Sequence, residues 1–366
     1  MPHKFTTDLD AMRHALALAE QAIGLSEPNP RVGCVITASD GTVLGSGHTQ
    51  AVGQAHAEVM ALRDAAQRGF DVRGATAYVS LEPCAHQGRT PPCCDALIAV
   101  GLARVVAAVG DPNPLVAGQG MARLRAAGIE TACGLLEVEA RDLNIGFFSR
   151  MQRGRPFVRL KIAASLDGRT ALLNGVSQWI TSAAARADGH GWRKRAGAVL
   201  TGIGTVREDD PRLDVRLVET ALQPLRVVID SRLETPTDAR LLAAPGRALI
   251  YSTLAGEQRA ELLAAGAELI ALPGADGKVD LSAVLLDLGR RGINELHVEA
   301  GHTLNGSLLR EGLVDELLVY LAPKLLGPGR EMAALEALST LDGVAAWRWV
   351  DCQPVGDDLR LRLRRA

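Results

Sequence analysis

Aromatic residues make up 3% of the 366-residue sequence. Positive charge is not in excess either: 40 Lys and Arg against 42 Asp and Glu give a formal net charge of −2. A nucleic-acid surface needs clustered cations and stacking rings, and this composition supplies neither. A small phosphorylated ligand stays open, because a few local arginines suffice to hold it. No apolar run approaches the ~18 residues that span a bilayer. The opening MPHKFTTDLD has no apolar signal core and soon turns acidic. The chain is therefore expected in the cytoplasm, with no membrane and no nucleic acid as partner. A homo-oligomer is expected as well.

Cysteine is also scarce. The six are Cys34, Cys84, Cys93, Cys94, Cys133 and Cys352, too few for a disulfide framework in a chain this long. Without an export signal, a cysteine cluster points to metal binding or catalysis rather than cross-linking. Three of the six fall within residues 84 to 94. The sequence shows no internal repeat and no low-complexity tract. What remains is ordinary globular material, 47% hydrophobic and 22% charged. At roughly 150 residues per domain, the length suggests about two domains.

The first half alternates helical and strand patterns. Leu9, Met12, Leu16, Ala19 and Ile23 recur at helical spacing, with Thr7 or Asp8 placed to cap. VGCVIT and TVLGSG flank a turn at Ala38–Gly41 and read as a hairpin. HAEVMALRDAAQRG reads as a helix ending at Gly69, ATAYVSL as a strand, CCDALIAVG as a helix and RVVAAVG as a strand. GMARLRAAG and LEVEARDLNIGFFSR read as further helices. This pattern predicts a sheet covered by helices in an α/β/α layering. RMQRGRP at Arg150–Pro156 breaks it with charge, Gly and Pro, and the domain boundary is placed there, dividing residues 1–150 from 151–366. FVRLKIAAS, AVLTGIG, LRVVIDS, RALIYS, ELIAL, ELHVEAG and ELLVYLAPKLLG then give the rhythm of a largely parallel or mixed sheet.

His56-Ala57-Glu58 opens a helix, and Pro83-Cys84 and Pro92-Cys93 follow. One imidazole and two thiolates suit zinc, and three protein ligands leave a fourth position for water. Glu58, two residues beyond His56, stands close enough to reach that water without ligating the metal. Zinc nucleobase deaminases use this order, H-x-E before P-C-x-x-C. Here eight residues, AHQGRTPP, separate Cys84 from Cys93. Taken singly, His-x-Glu at a helix start is an ordinary solvated end and a buried cysteine an ordinary small hydrophobe. Their combination favours a metal site. Cys94 points about 100° away from Cys93 on a helix and is expected to pack. Cys34, Cys133 and Cys352 are expected to be structural.

LEPCAHQGRTPPCCDALI, with PNPRVGCVI and HAEV before it, resembles the deaminase domain of the bifunctional riboflavin-biosynthesis deaminase–reductases. That domain belongs to the cytidine-deaminase-like superfamily. LKIAASLDGRTA, SQWIT, AVLTGIGTVREDDPRLDVR, VVIDS and VEAGHTLNGSLL resemble the reductase domain of the same enzymes, whose fold is similar to dihydrofolate reductase. The resemblance covers nearly the whole chain in the expected order. It implies an α/β protein, with a cytidine-deaminase-like α/β/α N-terminal domain and a dihydrofolate-reductase-like α/β C-terminal domain.

The resemblance implies zinc at His56, Cys84 and Cys93. The implied substrate is 2,5-diamino-6-ribosylamino-4(3H)-pyrimidinone 5′-phosphate, which loses its 2-amino group as ammonia. Glu58 would take the water proton and pass it to the ring and then to the leaving amine. Asn29, His48, His86 and Arg89 would hold the pyrimidine and its ribose phosphate. In the second domain, Ala163, Trp179, Thr205, Asp209, Ser231, Gly301, His302, Thr303, Leu304, Asn305, Gly306 and Ser307 would contact NADPH. Lys161, Ser177, Arg193, Leu213, Arg216 and Glu299 would contact the substrate. Hydride delivered to C1′ would open the ribosyl ring to a ribityl chain, giving 5-amino-6-ribitylaminouracil 5′-phosphate.

The residues by themselves are less explicit in this half. Gly202-Ile203-Gly204 lacks the third glycine of a dinucleotide fingerprint, because Arg207 stands there. Glu299–Thr303 follows a strand and starts a helix, a place where backbone amides bind phosphate. Ser231 and Arg232 follow the strand VVID and suit a ribose 2′-phosphate, which favours NADPH over NADH. Asp230 is then expected to turn away. Two other readings compete: a deaminase of another nucleotide with a degenerate second domain, and a zinc-stabilised module that binds pyrimidine nucleotides without turnover. Glu58 argues against the second, since a structural zinc needs no carboxylate beside its open position.

Overall fold

A computed structural model describes residues 4–86, 91–114, 116–255, 259–342 and 344–366. The chain divides into two compact units, Met1–Gly154 and Arg155–Ala366.

In the first unit, α1 (Asp8–Glu20) is capped by Thr7, whose hydroxyl accepts the Asp10 N–H at 3.1 Å. It buries Ala11, Met12, Ala15 and Ala19, one side of the periodic run. β1 (Gly33–Thr37) and β2 (Val43–His48) form the antiparallel hairpin. α2 (Ala57–Gln67), β3 (Thr76–Val79), α3 (Cys93–Ala99), β4 (Arg104–Ala107), α4 (Gln119–Ala126), β5 (Glu130–Cys133), α5 (Glu137–Leu143) and α6 (Ile145–Arg153) follow. The sheet order is β2-β1-β3-β4-β5, with β3, β4 and β5 parallel.

Two glycines set the layering. A Cβ on Gly33 would lie 1.9 Å from the Ala15 carbonyl of α1, and one on Gly45 2.2 Å from the Ala61 carbonyl of α2. Gly45 pairs with Ile36, an odd number of residues from Gly33, so the two glycines open opposite faces of the sheet. α1 and α2 therefore cover opposite faces, the expected α/β/α arrangement.

The division falls at Gly154, inside the Arg150–Pro156 break and four residues past residue 150. α6 runs through Arg150 to Arg153 and ends at Gly154, whose φ of 68° stops the helix in the left-handed region.

The second unit contains β6 (Phe157–Ser165), β7 (Arg169–Leu172), α7 (Ala183–Arg195), β8 (Ala198–Gly202), α8 (Ile203–Asp209), β9 (Leu225–Ile229), α9 (Arg240–Ala243) and β10 (Ala248–Ser252). It continues with α10 (Ala260–Ala264), β11 (Ala267–Ala271), α11 (Leu281–Arg290), β12 (Glu295–Val298), α12 (His302–Arg310), β13 (Glu316–Ala322), β14 (Gly329–Glu331), β15 (Trp347–Val355) and β16 (Asp358–Arg365). The nine-stranded sheet runs β11-β10-β9-β8-β12-β6-β13-β16-β15, while β14 and β7 pair as a separate ribbon. The first seven strands are parallel and the β15–β16 hairpin adds an antiparallel edge, so the sheet is mixed. The parallel strands read as short apolar runs because both faces are covered; Val158, Leu160, Leu200, Val227, Leu249, Leu296 and Val298 are buried.

One buried polar network crosses these strands. Arg159 on β6 donates to Glu295 of β12 at 2.8 Å and to Glu316 of β13 at 2.5 Å. Arg195 also reaches Glu295, and Arg362 and Arg364 of β16 reach Glu316. Four guanidiniums, three on neighbouring strands and Arg195 on α7, surround the two carboxylates, and that pairing is what allows the carboxylates to sit inside the unit.

Candidate functional site

The first unit places its chemistry where two helices begin. His56 is the N-cap of α2 and Cys93 the first residue of α3. Cys84 follows the turn after β3, and its sulfur accepts the Cys93 N–H at 3.3 Å. His56 Nδ1 lies 3.7 Å from Cys84 Sγ and 3.3 Å from Cys93 Sγ. All three donor atoms lie within 4.8 Å of one another. With Zn–S near 2.3 Å and Zn–N near 2.0–2.1 Å, a tetrahedral ion needs N···S edges of about 3.6 Å. The donor set and its spacing fit zinc. The helix N-termini add positive potential, and hydrogen bonding from Cys93, opposed by burial, holds the Cys84 thiol well below its usual range. Cys94 turns away: its sulfur meets the Pro83 carbonyl at 3.3 Å. Cys34 is buried as expected, but Cys133 and Cys352 are exposed.

A cavity of about 390 Å³ opens on this triad, lined among others by Asn29, Gln54, Glu58, His86, Asp111, Asn113, Phe147 and Arg150. Glu58 is buried in the first turn of α2, and burial, followed by the neighbouring Cys84 charge, pushes its carboxyl up to about 7. The Asn29 wall is pinned by reciprocal bonds, Arg31 N–H to Asn144 Oδ1 and Asn144 Nδ2 to the Arg31 carbonyl, both 2.8 Å. Of the residues expected here, His56, Glu58, Cys84, Cys93, Asn29 and His86 are brought together. His48 ends β2 on the Gly33 side of the hairpin, and Thr49, Gly53 and Gln54 form the adjoining wall. Arg89 lies outside the described residues. Sequence reasoning missed Asp111, Asn113 and Arg150. Asp111 and Asn113 follow β4 and Arg150 stands in the boundary segment, although the carboxyl end of a parallel strand is where α/β proteins place ligands.

The second unit has a cavity of about 670 Å³ at the carboxyl ends of β8, β9 and β12. Gly202, Gly204, Thr205, Ser231, Gly301, His302, Thr303, Leu304 and Ser307 line it. A Cβ on Gly202 would come within 3.2 Å of Leu304 Cδ2, so a larger residue would crowd the junction of β8 with α12. α12 begins at this wall, and its leading N–H groups have no intrahelical acceptor. That cradle and volume fit a dinucleotide. Five of the seven residues from Gly301 to Ser307 line the cavity, and the other two have partners of their own. Asn305 Nδ2 donates to the Met332 carbonyl, and a Cβ on Gly306 would lie 2.2 Å from the Ala334 carbonyl. Both face the 332–334 segment instead.

Ser231 lines the cavity and accepts the Val279 N–H, whereas Arg232 is largely exposed and paired with Glu234 at 3.0 Å. Asp230 does turn away, accepting from Thr235 N–H and hydroxyl at 2.7 Å. Ala163 sits on β6 opposite Tyr320. Trp179 is exposed under the Arg186 guanidinium, and Asp209 accepts from Gln178 at 3.3 Å. None of these three is among the residues described as lining the cavity. Glu299 gathers the expected substrate residues: Arg193 grips it at 2.5 and 2.9 Å and Lys161 Nζ stands 3.8 Å away. His297 Nε2 lies 3.3 Å from it. Ser177 is half-buried, and Leu213 and Arg216 lie on a separate loop.

Residues 5–109 match the model of the cytidine and deoxycytidylate deaminase zinc-binding region, and residues 156–361 that of the RibD C-terminal domain. The riboflavin biosynthesis protein RibD of Escherichia coli is 45% identical over 365 residues, covering 96% of this chain and 98% of that protein. The chain belongs to the RibD family. RibD of Aquifex aeolicus is 42% identical, with 98% of both chains covered. Among solved structures, Acinetobacter baumannii RibD superposes with a TM-score of 0.89 at 41% identity, over 98% of this chain and 99% of that one. The Thermotoga maritima diaminohydroxyphosphoribosylaminopyrimidine deaminase/5-amino-6-(5-phosphoribosylamino)uracil reductase superposes with a TM-score of 0.88 at 33% identity, over 98% of each chain. As a RibD family member, the chain is a bifunctional deaminase–reductase of riboflavin biosynthesis, with zinc and NADPH as its cofactors. The two-domain α/β class agrees with the sequence reading, and membership of an enzyme family displaces the binding-module alternative. No helix among the described residues is long and apolar enough to cross a membrane.

Proposed function

We propose that the first unit deaminates 2,5-diamino-6-ribosylamino-4(3H)-pyrimidinone 5′-phosphate and the second reduces the deaminated product. The observation that carries the first half is Glu58, a buried carboxyl lining the cavity that the His56, Cys84 and Cys93 donor set also lines or borders. Zinc held by those three residues supplies a Lewis acid that makes water acidic near neutral pH. Glu58 accepts a proton from the attacking water, passes it to the ring nitrogen and delivers a proton to the departing amine. Water adds at C2, the C2–N bond breaks, and ammonia leaves with the proton. Asn29 and His86 orient the pyrimidine from the cavity wall.

In the second unit, the β8–α8 and β12–α12 junctions hold the dinucleotide, and Lys161 and Glu299 face the sugar. NADPH supplies the hydride. The protein contributes position and charge, with Arg193 keeping Glu299 ionised against its burial. Expected partners are the phosphorylated ribosylaminopyrimidine and a second copy of the chain, in the cytoplasm. One variant separates the halves. Glu58→Gln retains zinc, loses ammonia release by a factor of roughly 10²–10⁴, and still oxidises NADPH when given the deaminated substrate. Loss of both activities with normal zinc would refute the division of labour.

A further inference from the structure

The segment after α8 is built around one buried carboxylate. Asp214 is 2% exposed, and a guanidinium sits on each of its oxygens. Arg216 Nη1 donates to Oδ1 at 2.7 Å and Arg212 Nε to Oδ2 at 2.9 Å. Sharing one carboxylate fixes the spacing and direction of the two forks. Leu213, between Arg212 and Asp214, has a φ of 55°, a region that a leucine enters only when its surroundings enforce it. The rest of the loop is held as firmly. Gln223 bonds both backbone groups of Val215 at 2.8 Å, and the Arg216 N–H donates to His190 Nδ1 at 3.2 Å.

The charges of this seat do not cancel. Arg212 and Arg216 share the Asp214 carboxylate, while Arg226 is buried and hydrogen-bonds to the carbonyls of Ala244, Gly246 and Arg247. Two guanidiniums against one carboxylate leave a surplus of positive charge, which suits a phosphate. Arg212 and Arg216 keep side-chain exposures of 40% and 46%, so each fork has N–H groups open to solvent. Arg193, the other arginine expected to meet substrate, is committed to both oxygens of Glu299 and to the Asp214 carbonyl.

We propose that Arg212 joins Arg216 as the second guanidinium of a phosphate seat in the reductase unit, and that this pair selects phosphorylated over dephosphorylated substrate. The proposal rests on the substrate reading given above. It assigns to Arg212 a role that its sequence neighbours alone do not indicate.

The test uses the intact enzyme and Arg212→Gln, which keeps a donor for Asp214 but removes the charge. KM and kcat are measured for the deaminated substrate with and without its phosphate, and calorimetry gives the affinity for ribose 5-phosphate. Arg212→Gln is expected to raise KM for the phosphorylated substrate about tenfold, leave kcat within about twofold, and weaken ribose 5-phosphate about tenfold. Arg212→Lys, which retains a cation on Asp214 and so protects the fold, is expected to weaken it about threefold. Equal changes in KM for both substrates, or unaltered ribose 5-phosphate affinity in both variants, overturn the proposal. Arg216→Gln separates the two levels. If it alone weakens ribose 5-phosphate, the paired seat falls and the substrate reading stands; if neither variant does, the phosphate does not bind this loop and the reading of Arg216 falls as well.

Discussion

The Glu82 carboxylate accepts the backbone N–H of Asp111 at 3.1 Å, joining the turn that carries Cys84 to the segment after β4 that also lines the cavity. The same carboxylate accepts from Gly118 at 2.9 Å, Gly120 at 2.9 Å and Met121 at 3.2 Å, and so caps α4 as well. Gly120 permits this approach, since a Cβ there would lie 2.0 Å from the Pro83 carbonyl. Glu82→Gln preserves the shape but aims an amide NH₂ at backbone donors. It is expected to destabilise the first unit by about 1–3 kcal/mol and to raise KM for deamination. All four tryptophans, Trp179, Trp192, Trp347 and Trp349, belong to the second unit. Circular dichroism should therefore show an earlier transition while the tryptophan fluorescence transition stays in place.

The metal assignment predicts unequal behaviour from two adjacent cysteines. Cys93 stands 3.3 Å from His56 Nδ1, while the Cys94 sulfur is directed at the Pro83 carbonyl. Cys84→Ala and Cys93→Ala should purify with little zinc, and Cys94→Ala with about one zinc per chain, as read by elemental analysis. Zinc lost on changing Cys94 but retained on changing Cys93 would reverse the assignment.

These residues also show what the sequence made legible. His56, Glu58, Cys84 and Cys93 stood out because their types are chemically specific and their separations short. Asp111 and Arg150 did not, because the fold brings them to the cavity from the end of β4 and from α6, and neither carries a local signature. The β15–β16 hairpin was missed for a related reason. In DLRLRLRR, Arg360, Arg362 and Arg364 share a sheet face with Tyr320, Leu318 and Glu316 and pack near Trp192 and Phe157. Inward arginines disguise a strand when their acidic partners lie far away in sequence. The parallel strands were plain because their interiors are apolar and need no distant partner.

The ion network around Arg159 gives a stability prediction. Arg159→Met removes the cation shared by Glu295 and Glu316, leaving two carboxylates buried with fewer partners. A loss of about 3–5 kcal/mol is expected for the second unit. Denaturation followed by tryptophan fluorescence measures it, and a change below about 1 kcal/mol would mean that Arg195, Arg362 and Arg364 suffice.

Glu316 gives the same network an acid limit. Burial disfavours its charge, but Arg159 and Arg362 outweigh that and bring the carboxyl to about 2 in the folded chain. In the unfolded chain a glutamate titrates near 4.3. The folded state therefore binds the proton less readily than the unfolded state, and ionised Glu316 stabilises folding above the unfolded value. That contribution, about 3 kcal/mol at neutral pH, declines as pH falls from roughly 5 and is gone below about 2. The tryptophan-monitored melting temperature should be insensitive to Glu316 titration between pH 6 and 8 and then fall steeply through this window. Glu316→Gln should lower the neutral plateau and flatten the acid slope, because its amide neither titrates nor neutralises three arginines. An acid slope in Glu316→Gln as steep as in the parent chain would assign the transition to other carboxylates.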